Sequence, residues 1–164
     1  MNRCLLFGVA ATVLASAIGC DSSIQQLSSA RNRANDAATL GNIRVLISAE
    51  MAYSSNNGGF GSLECLSNPK SCVPEDPGQP YLTKGLFSGE RSGYTYEFVP
   101  GPEASVRGRA AGSNLKSFAV VATPANEAAG SRIFCGDSTG SVCVLSDDDE
   151  ATGGACPASC EPMK

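Results

Sequence analysis

The sequence predicts an α+β domain in which one long helix packs on an antiparallel sheet of about four strands. Two observations predict this class. Apolar and small residues recur at helical spacing from Leu27 to about Asn56, and short apolar or alternating segments follow from Gly93 onward. The 164 residues include 18 Gly, 9 Pro and 8 Cys but no Trp, which predicts one loop-rich domain held by disulfides.

The helix is predicted from a row of small or apolar side chains at i, i+3 and i+4 positions. This row is Leu27, Ala30, Ala34, Ala38, Gly41, Val45, Ala49 and Ala52. A second apolar row is Leu40, Ile43, Ile47 and Met51. We therefore expect the sheet to cover most sides of the second half of the helix. The first half is expected to stay in water because of its polar residues, Arg31, Asn32, Arg33, Asn35 and Asp36.

The first nineteen residues read as an export signal. Arg3 precedes an interrupted apolar run from Leu5 to Ala15, and this run is too short to span a bilayer. The residues Ala17, Ile18, Gly19 and Cys20 resemble the bacterial lipobox, which implies a signal peptide at 1–19, lipidation of Cys20 and a polar tether at 20–26. Asp21 resembles an inner-membrane retention signal, so the expected location is the inner membrane, facing the periplasm. The alternative is an ordinary cleaved signal that leaves Cys20 as a free or paired thiol.

The charge balance is acidic. Removal of residues 1–19 takes away Arg3 alone among the charged residues, which leaves 11 basic against 16 acidic side chains and a net charge of −5. Such a chain is repelled by phosphate backbones, so we expect no nucleic-acid partner.

Six further cysteines, in an exported chain, predict three disulfides. They form three local couples, and the simplest pairing lies within each couple: Cys65 with Cys72, Cys135 with Cys143, and Cys156 with Cys160. The Cys135–Cys143 couple is predicted most firmly, because a hairpin with a turn at residues 138–140 sets these cysteines opposite each other. For the last couple, pairing back to the body of the domain remains open. No C-x₂-C spacing and no His occur, so a zinc site is disfavoured.

The strands follow a long connection at residues 60–92. Tyr94, Tyr96 and Phe98 alternate with polar residues, which predicts a half-buried strand. The segment 117–124 predicts a second strand, and residues 133–135 with 142–145 form the hairpin. We therefore divide the chain into a signal at 1–19, a tether at 20–26, an α+β domain at 27–145 and an acidic tail containing Gly and Cys at 146–164.

This order of segments resembles the globular domain of type IV pilins and type II secretion pseudopilins. The resemblance covers about residues 28–145 and is carried by Asn35, Tyr53, Ser92, Gly93, Tyr94, Cys135 and Asp137. Pilins also keep an apolar N-terminal half-helix with a Glu near its start, which forms the filament core. Here the chain after Gly19 reads CDSSIQQLSSARNRAND, so we expect a monomer or weak dimer rather than a filament.

Two segments contain residue patterns that could form chemical sites. Residues 136–140 match the G-x-S-x-G pattern of a hydrolase nucleophile, but the chain has no His, and a hairpin turn is favoured. The carboxylates of Asp147, Asp148 and Asp149 are candidate calcium ligands, since some pseudopilins bind calcium in a C-terminal loop. A solvated acidic segment is favoured because the EF-hand spacing fails at Ala151.

These observations favour a non-catalytic, pilin-like lipoprotein that serves as a structural or interaction component of a type II secretion or pilus-related system. Its implied partners are the membrane and pilin or secretion-system proteins. The alternative is a stand-alone binding module for a small ligand, an ion or the cell envelope. An enzyme is disfavoured, because neither a His nor a reduced Cys is expected to act as an acid, base or nucleophile.

Overall fold

The structure, a computed structural model, describes residues 7–74, 78–106 and 114–163, and side chains from residue 25 onward. The helices are α1 (Phe7–Asn57) and α2 (Leu63–Ser67), followed by a 3₁₀ turn (Pro69–Ser71). The strands are β1 (Glu90–Arg91), β2 (Tyr94–Pro100), β3 (Phe118–Pro124), β4 (Ile133–Asp137), β5 (Val142–Leu145) and β6 (Glu161–Pro162). The predicted α+β class is confirmed.

The sheet is an antiparallel meander in which the strands lie side by side in chain order. It has six described strands, so the expected number of about four is wrong. The additional strands β1 and β6 lie at the two edges and contain two residues each. Strands of that length carry no periodic pattern, which is why the sequence did not reveal them.

Helix α1 is continuous across the segment that we predicted as a tether. Residues 20–26 are helical, and no Gly or Pro stands between Cys20 and Leu40 to interrupt the hydrogen bonding. Its C-terminal end was predicted correctly: Gly58 has a φ of 79°, and its N–H donates to the Ser54 carbonyl at 2.8 Å. The signal prediction at 1–19 lies outside the described side chains, and its first six residues lie outside the described residues altogether.

The face of α1 that meets the sheet carries the large apolar side chains rather than the predicted small-residue row. Ile43, Leu46 and Tyr53 are fully buried against the sheet, and Ile47 is nearly so. Most of the small-residue row is exposed; only its member Ala49 is buried. Larger side chains fill the space over a sheet better, because each buried methylene contributes about 0.8 kcal/mol. The expectation that most sides of this half are covered is therefore wrong.

The central strands β3 and β4 are buried on both faces of the sheet. On the face toward α1, Phe118, Val120 and Ala122 of β3 pack with Phe134 and with the aromatic residues of β2, as their alternation predicted. Gly136 allows α1 to come close, because a Cβ at this position would stand 2.4 Å from Ile43 Cγ2. On the opposite face, Ala119 of β3 belongs to a second cluster. Two layers are therefore needed to cover one sheet.

The second layer is the C-terminal segment that we predicted as a separate acidic tail. It packs Ala151 and Cys160 against the outer face of β4 and β5, and β6 pairs with β5. Disulfides Cys135–Cys156 and Cys143–Cys160 fix it there. The predicted pairings of Cys135 with Cys143 and of Cys156 with Cys160 are therefore wrong, whereas the alternative of pairing back to the body is correct.

The register of the hairpin was predicted correctly, and it explains why its cysteines do not pair. Cys135 lies opposite Cys143. The Asp137 N–H donates to the Ser141 carbonyl at 3.3 Å, which makes Asp137 and Ser141 a hydrogen-bonded pair. Because such pairs alternate along the ladder, Cys135 and Cys143 also form a hydrogen-bonded pair, in which facing residues stand further apart. Their sulfur atoms are instead bonded to Cys156 and Cys160 of the C-terminal segment.

The predicted Cys65–Cys72 disulfide is present. It joins α2 to the 3₁₀ turn, and the Ser62 hydroxyl caps the start of α2 by accepting from the Cys65 N–H at 3.2 Å. Residues 63–72 of the long connection therefore form an ordered element that is cross-linked by a disulfide.

Loss of the Cys135–Cys156 bond should lower the free energy of unfolding by about 3 kcal/mol, because the bond spans 21 residues in sequence and limits the freedom of the unfolded chain. The variant C135A/C156A should show this in urea unfolding monitored by circular dichroism. The matched variant C65A/C72A, whose bond spans 7 residues, should lose about 2 kcal/mol. Unchanged stability of C135A/C156A would contradict the role given to the C-terminal layer.

Candidate functional site

A connected group of polar side chains joins α1 to the sheet at Asp36. The Tyr94 hydroxyl donates to Asp36 Oδ1 at 2.7 Å, and Arg132 donates to Oδ2 from Nε at 3.0 Å and from Nη2. Asp36 is 8% exposed. We had expected it to stay in water with the other polar residues of the first half, and that expectation is wrong. Arg31 and Arg33 are exposed, as predicted.

Four of the residues that carried the pilin resemblance meet at this point. Ser92 and Gly93 both have positive φ, 54° and 75°, and form the two-residue turn between β1 and β2. Asn35 Nδ2 donates to the Ala129 carbonyl at 2.8 Å. A Cβ on Gly93 would stand 2.7 Å from Ala129 Cβ, so only Gly lets this turn approach the loop between β3 and β4. Their roles here, like that of Tyr94, are structural.

The groups at Asp36 are saturated and unsuited to proton transfer. The pKa of Tyr94 is raised far above its usual range, first by burial and then by the hydrogen bond to Asp36. The phenol therefore remains a donor at every physiological pH. Both carboxylate oxygens are occupied, and nothing in this arrangement resembles an acid–base pair facing a substrate.

A second buried acid lies further along α1 and was not predicted. Glu50 is fully buried, and its Oε2 accepts a hydrogen bond from the Gly61 N–H at 2.8 Å. Burial raises the pKa of Glu50 to about 8, although the Gly61 hydrogen bond lowers it in part. Among the described residues Oε1 has no hydrogen-bond partner. Most Glu50 side chains are therefore protonated at pH 7.

The contacts around Glu50 fix the end of α1 to the connection that follows. Asn114 Nδ2 donates to the Asn57 carbonyl at 3.0 Å, and Phe60 pairs through its backbone with Leu115. Tyr53, another residue of the resemblance, packs at Gly61, where a Cβ would stand 3.1 Å from its ring. The one feature of the sequence that could have indicated this buried acid is the position of Glu50 within an apolar segment of the helix.

The G-x-S-x-G segment forms a hairpin turn, as predicted. Asp137 Oδ1 accepts from the N–H and the hydroxyl of Thr139, and Oδ2 accepts from the Cys156 N–H at 3.2 Å. Asp137 thus stabilises both the turn and the C-terminal layer. Ser138 lies on a strand-to-strand turn rather than on the strand-to-helix elbow that a hydrolase requires.

The candidate calcium ligands do not converge. Asp147 and Asp148 are exposed, whereas Asp149 accepts from the Ser159 hydroxyl at 2.8 Å and from the Ser146 N–H at 3.3 Å. Within the described ranges, no group of three or more Cys, Asp or Glu side chains is placed to hold a metal ion.

The lipidation candidate Cys20 lies in α1, and its side chain is outside the described residues. Across the portion of the chain that the structure describes, no helix combines the length and the apolar character needed to cross a bilayer.

A depression of about 540 Å³ lies between α2 and residues 82–88. Its apolar lining includes Leu63, Leu82 and Phe87, and its charged lining consists of Glu64 and Lys84. A mostly apolar lining with a few charged side chains is typical of sites that bind small molecules.

Comparisons of this chain with protein-family models, with curated proteins and with solved structures find no match. Its function therefore has to be argued from its own residues.

Substitution of Asp36 tests the connection between α1 and the sheet. D36A should lower the free energy of unfolding by about 3 kcal/mol, because it leaves Arg132 without its counter-charge and leaves the buried Tyr94 hydroxyl with only its longer hydrogen bond, to the Arg132 carbonyl at 3.2 Å. D36N keeps an acceptor for Tyr94 and should cost about 1 kcal/mol. The exposed control D148A should lie within about 0.5 kcal/mol of wild type in urea unfolding. Equal effects of D36A and D148A would contradict the assignment.

Glu50 should make stability depend on pH. Its pKa is about 8 in the folded chain against an ordinary value of 4.5, so unfolding releases a proton between these values and stability falls as pH rises from about 5 to about 8. The full loss is on the order of 5 kcal/mol, and the contribution of Glu50 to stability is greatest below the unfolded pKa. E50Q should remove most of this slope, whereas the exposed control E97Q should keep it. A wild-type stability that is constant over this range would contradict the burial effect.

Proposed function

We propose that the protein is a non-catalytic, pilin-like lipoprotein, anchored by Cys20 to the inner membrane and facing the periplasm. It acts as a structural or interaction component of a type II secretion or pilus-related system. The observation that carries the proposal is the architecture itself. One long helix lies against an antiparallel meander, and the C-terminal segment is stapled to the other face of that sheet. The helix on an antiparallel sheet is the arrangement that the resemblance to pilin domains implies.

Two further observations support a structural role. Asp36 and Glu50, the two acids of α1 between residues 25 and 57, hold the helix to its neighbours, and neither faces a site open to a substrate. Each edge strand is two residues long and contains a charged residue, which hinders growth by strand addition. A monomer or weak dimer is therefore the proposed state.

The second candidate is a stand-alone binding module for a small ligand, an ion or the cell envelope. It is favoured by the depression beside α2, whose apolar floor and two opposite charges suit a small amphipathic ligand. Ligand-dependent melting in the absence of secretion proteins would favour this candidate over the first.

The proposed function is tested by palmitate labelling and cross-linking in a bacterium with a type II secretion or pilus-related system. Wild type and C4S should be labelled with palmitate, whereas C20S should not. The labelled forms should stay in the membrane fraction, because several acyl chains each contribute about 0.8 kcal/mol per buried CH₂. Cross-linking should then join wild type to pilin or secretion proteins. An unlabelled wild type would refute the lipoprotein assignment, and cross-links only to unrelated envelope proteins would refute the pathway.

A further inference from the structure

Every exposed large apolar side chain in the described part of the molecule lies on α1. These are Leu27 at 71% exposure, Val45 at 50% and Met51 at 40%. Leu27 and Val45 are 18 residues apart, which is five helical turns, so they point in the same direction. The small residues between them on that line are Ala30, Ala34, Ala38 and Gly41, and they are exposed as well. We call this side, from Leu27 to Ala52, the outer face of α1.

The C-terminal part of the outer face contains a shallow groove with one fixed wall. Its volume is about 440 Å³, and it lies between the helix and Tyr81; its helical lining is Arg44, Val45, Ser48, Ala49 and Ala52. Tyr81 is held in place because its hydroxyl accepts from Asn56 Nδ2 at 3.0 Å and its ring meets the edge of Tyr53 at 5.4 Å. This surface is therefore already shaped in the unbound chain.

Among the described side chains of this helix, the exposed charges are all positive. Between Gln25 and Asn57 the exposed charged residues are Arg31, Arg33 and Arg44, while the two acids of that stretch, Asp36 and Glu50, are buried. None of the three arginines forms an ion pair with a described residue. The chain as a whole has a net charge of −4, so these arginines form a local excess of positive charge. An acidic partner would neutralise that charge.

We propose that the outer face of α1 is a docking surface for one acidic helix of a different protein. This inference rests on the proposed function and names the class of partner. A helix fits because the outer face runs along a single helix for about 38 Å, and its small side chains let a second backbone approach closely. The partner should place small or apolar residues along the contact and acidic residues beside Arg31, Arg33 and Arg44.

A second copy of this chain is a poorer occupant of the same face. Two outer faces would bring arginines of like charge together, on chains that already repel each other through their net negative charge. The proposal is thus compatible with a monomeric protein that associates with another component.

The test uses the full chain in non-ionic detergent and two synthetic helical peptides of about 28 residues. Both peptides carry Ala at the contact positions of a heptad repeat; one has Glu and the other has Lys at the flanking positions. Binding is measured by fluorescence anisotropy at low and high salt. R31E/R33E/R44E is compared with the matched control K84E/R91E/K116E, which changes three exposed charges away from α1. A38W tests the close approach without any change of charge.

The Glu peptide should bind at least tenfold more tightly than the Lys peptide at low salt. R31E/R33E/R44E should lose at least tenfold in affinity for it, the matched control should lose clearly less, and A38W should lose severalfold. Equal losses in both triple variants would overturn the proposal, because the loss would then follow from the change in net charge rather than from the three arginines of α1. No binding of the Glu peptide would also overturn it.

A membrane is the competing occupant, and a third measurement identifies it. Wild type is reconstituted in neutral or anionic phospholipid vesicles and treated with an arginine reagent, with exposed Arg91 as the reference. Protection of Arg31, Arg33 and Arg44 by anionic vesicles alone, without a preference for the Glu peptide, would assign the face to the bilayer and overturn the proposal. Peptide binding with an unlabelled Cys20 would keep the docking surface and refute the lipid anchor, so the two proposals fail separately.

Discussion

The fold depends on a sheet whose central strands are buried on both faces. β3 reads FAVVATP and has few side chains that tolerate water, so a single helix leaves half of its apolar surface unprotected. Helix α1 covers one face, and the segment after β5 covers the other. This segment is short and irregular, and Cys135–Cys156 and Cys143–Cys160 hold it where a second helix would otherwise be needed.

Two buried acids on α1 fix the helix against its neighbours and thereby determine which side remains free. Asp36 is held by Tyr94 and Arg132, and Glu50 is held by Gly61, so the helix is fixed at two places 14 residues apart. Its rotation about its own axis is set by these contacts as well as by apolar burial. The outer face, with Leu27 and Val45, is left toward solvent as a consequence. The proposed role in an assembly relies on this one-sided attachment.

Sequence reasoning identified the features that are encoded locally. The end of α1 at Gly58, the Cys65–Cys72 loop and the register of the β4–β5 hairpin each depend on neighbouring residues. It failed where residues far apart in the sequence determine which side chains are buried. Both apolar rows in the second half of α1 are expected from the sequence to be covered, because spacing alone cannot tell which of two apolar rows meets a sheet. The burial of Asp36 could not be predicted, because its partner Arg132 lies 96 residues away and no local pattern links the two.

The central claim, that the C-terminal segment is stapled over the second face of the sheet, is tested most directly by disulfide mapping. Cleavage before aspartates separates Cys135 (76–136), Cys143 (137–146) and the last two cysteines (149–164). Without reduction, mass spectrometry should find all three fragments joined through the last one, with fragment ions for Cys135–Cys156 and Cys143–Cys160. A free last fragment beside a dimer of the other two would mean local pairing and would contradict the account.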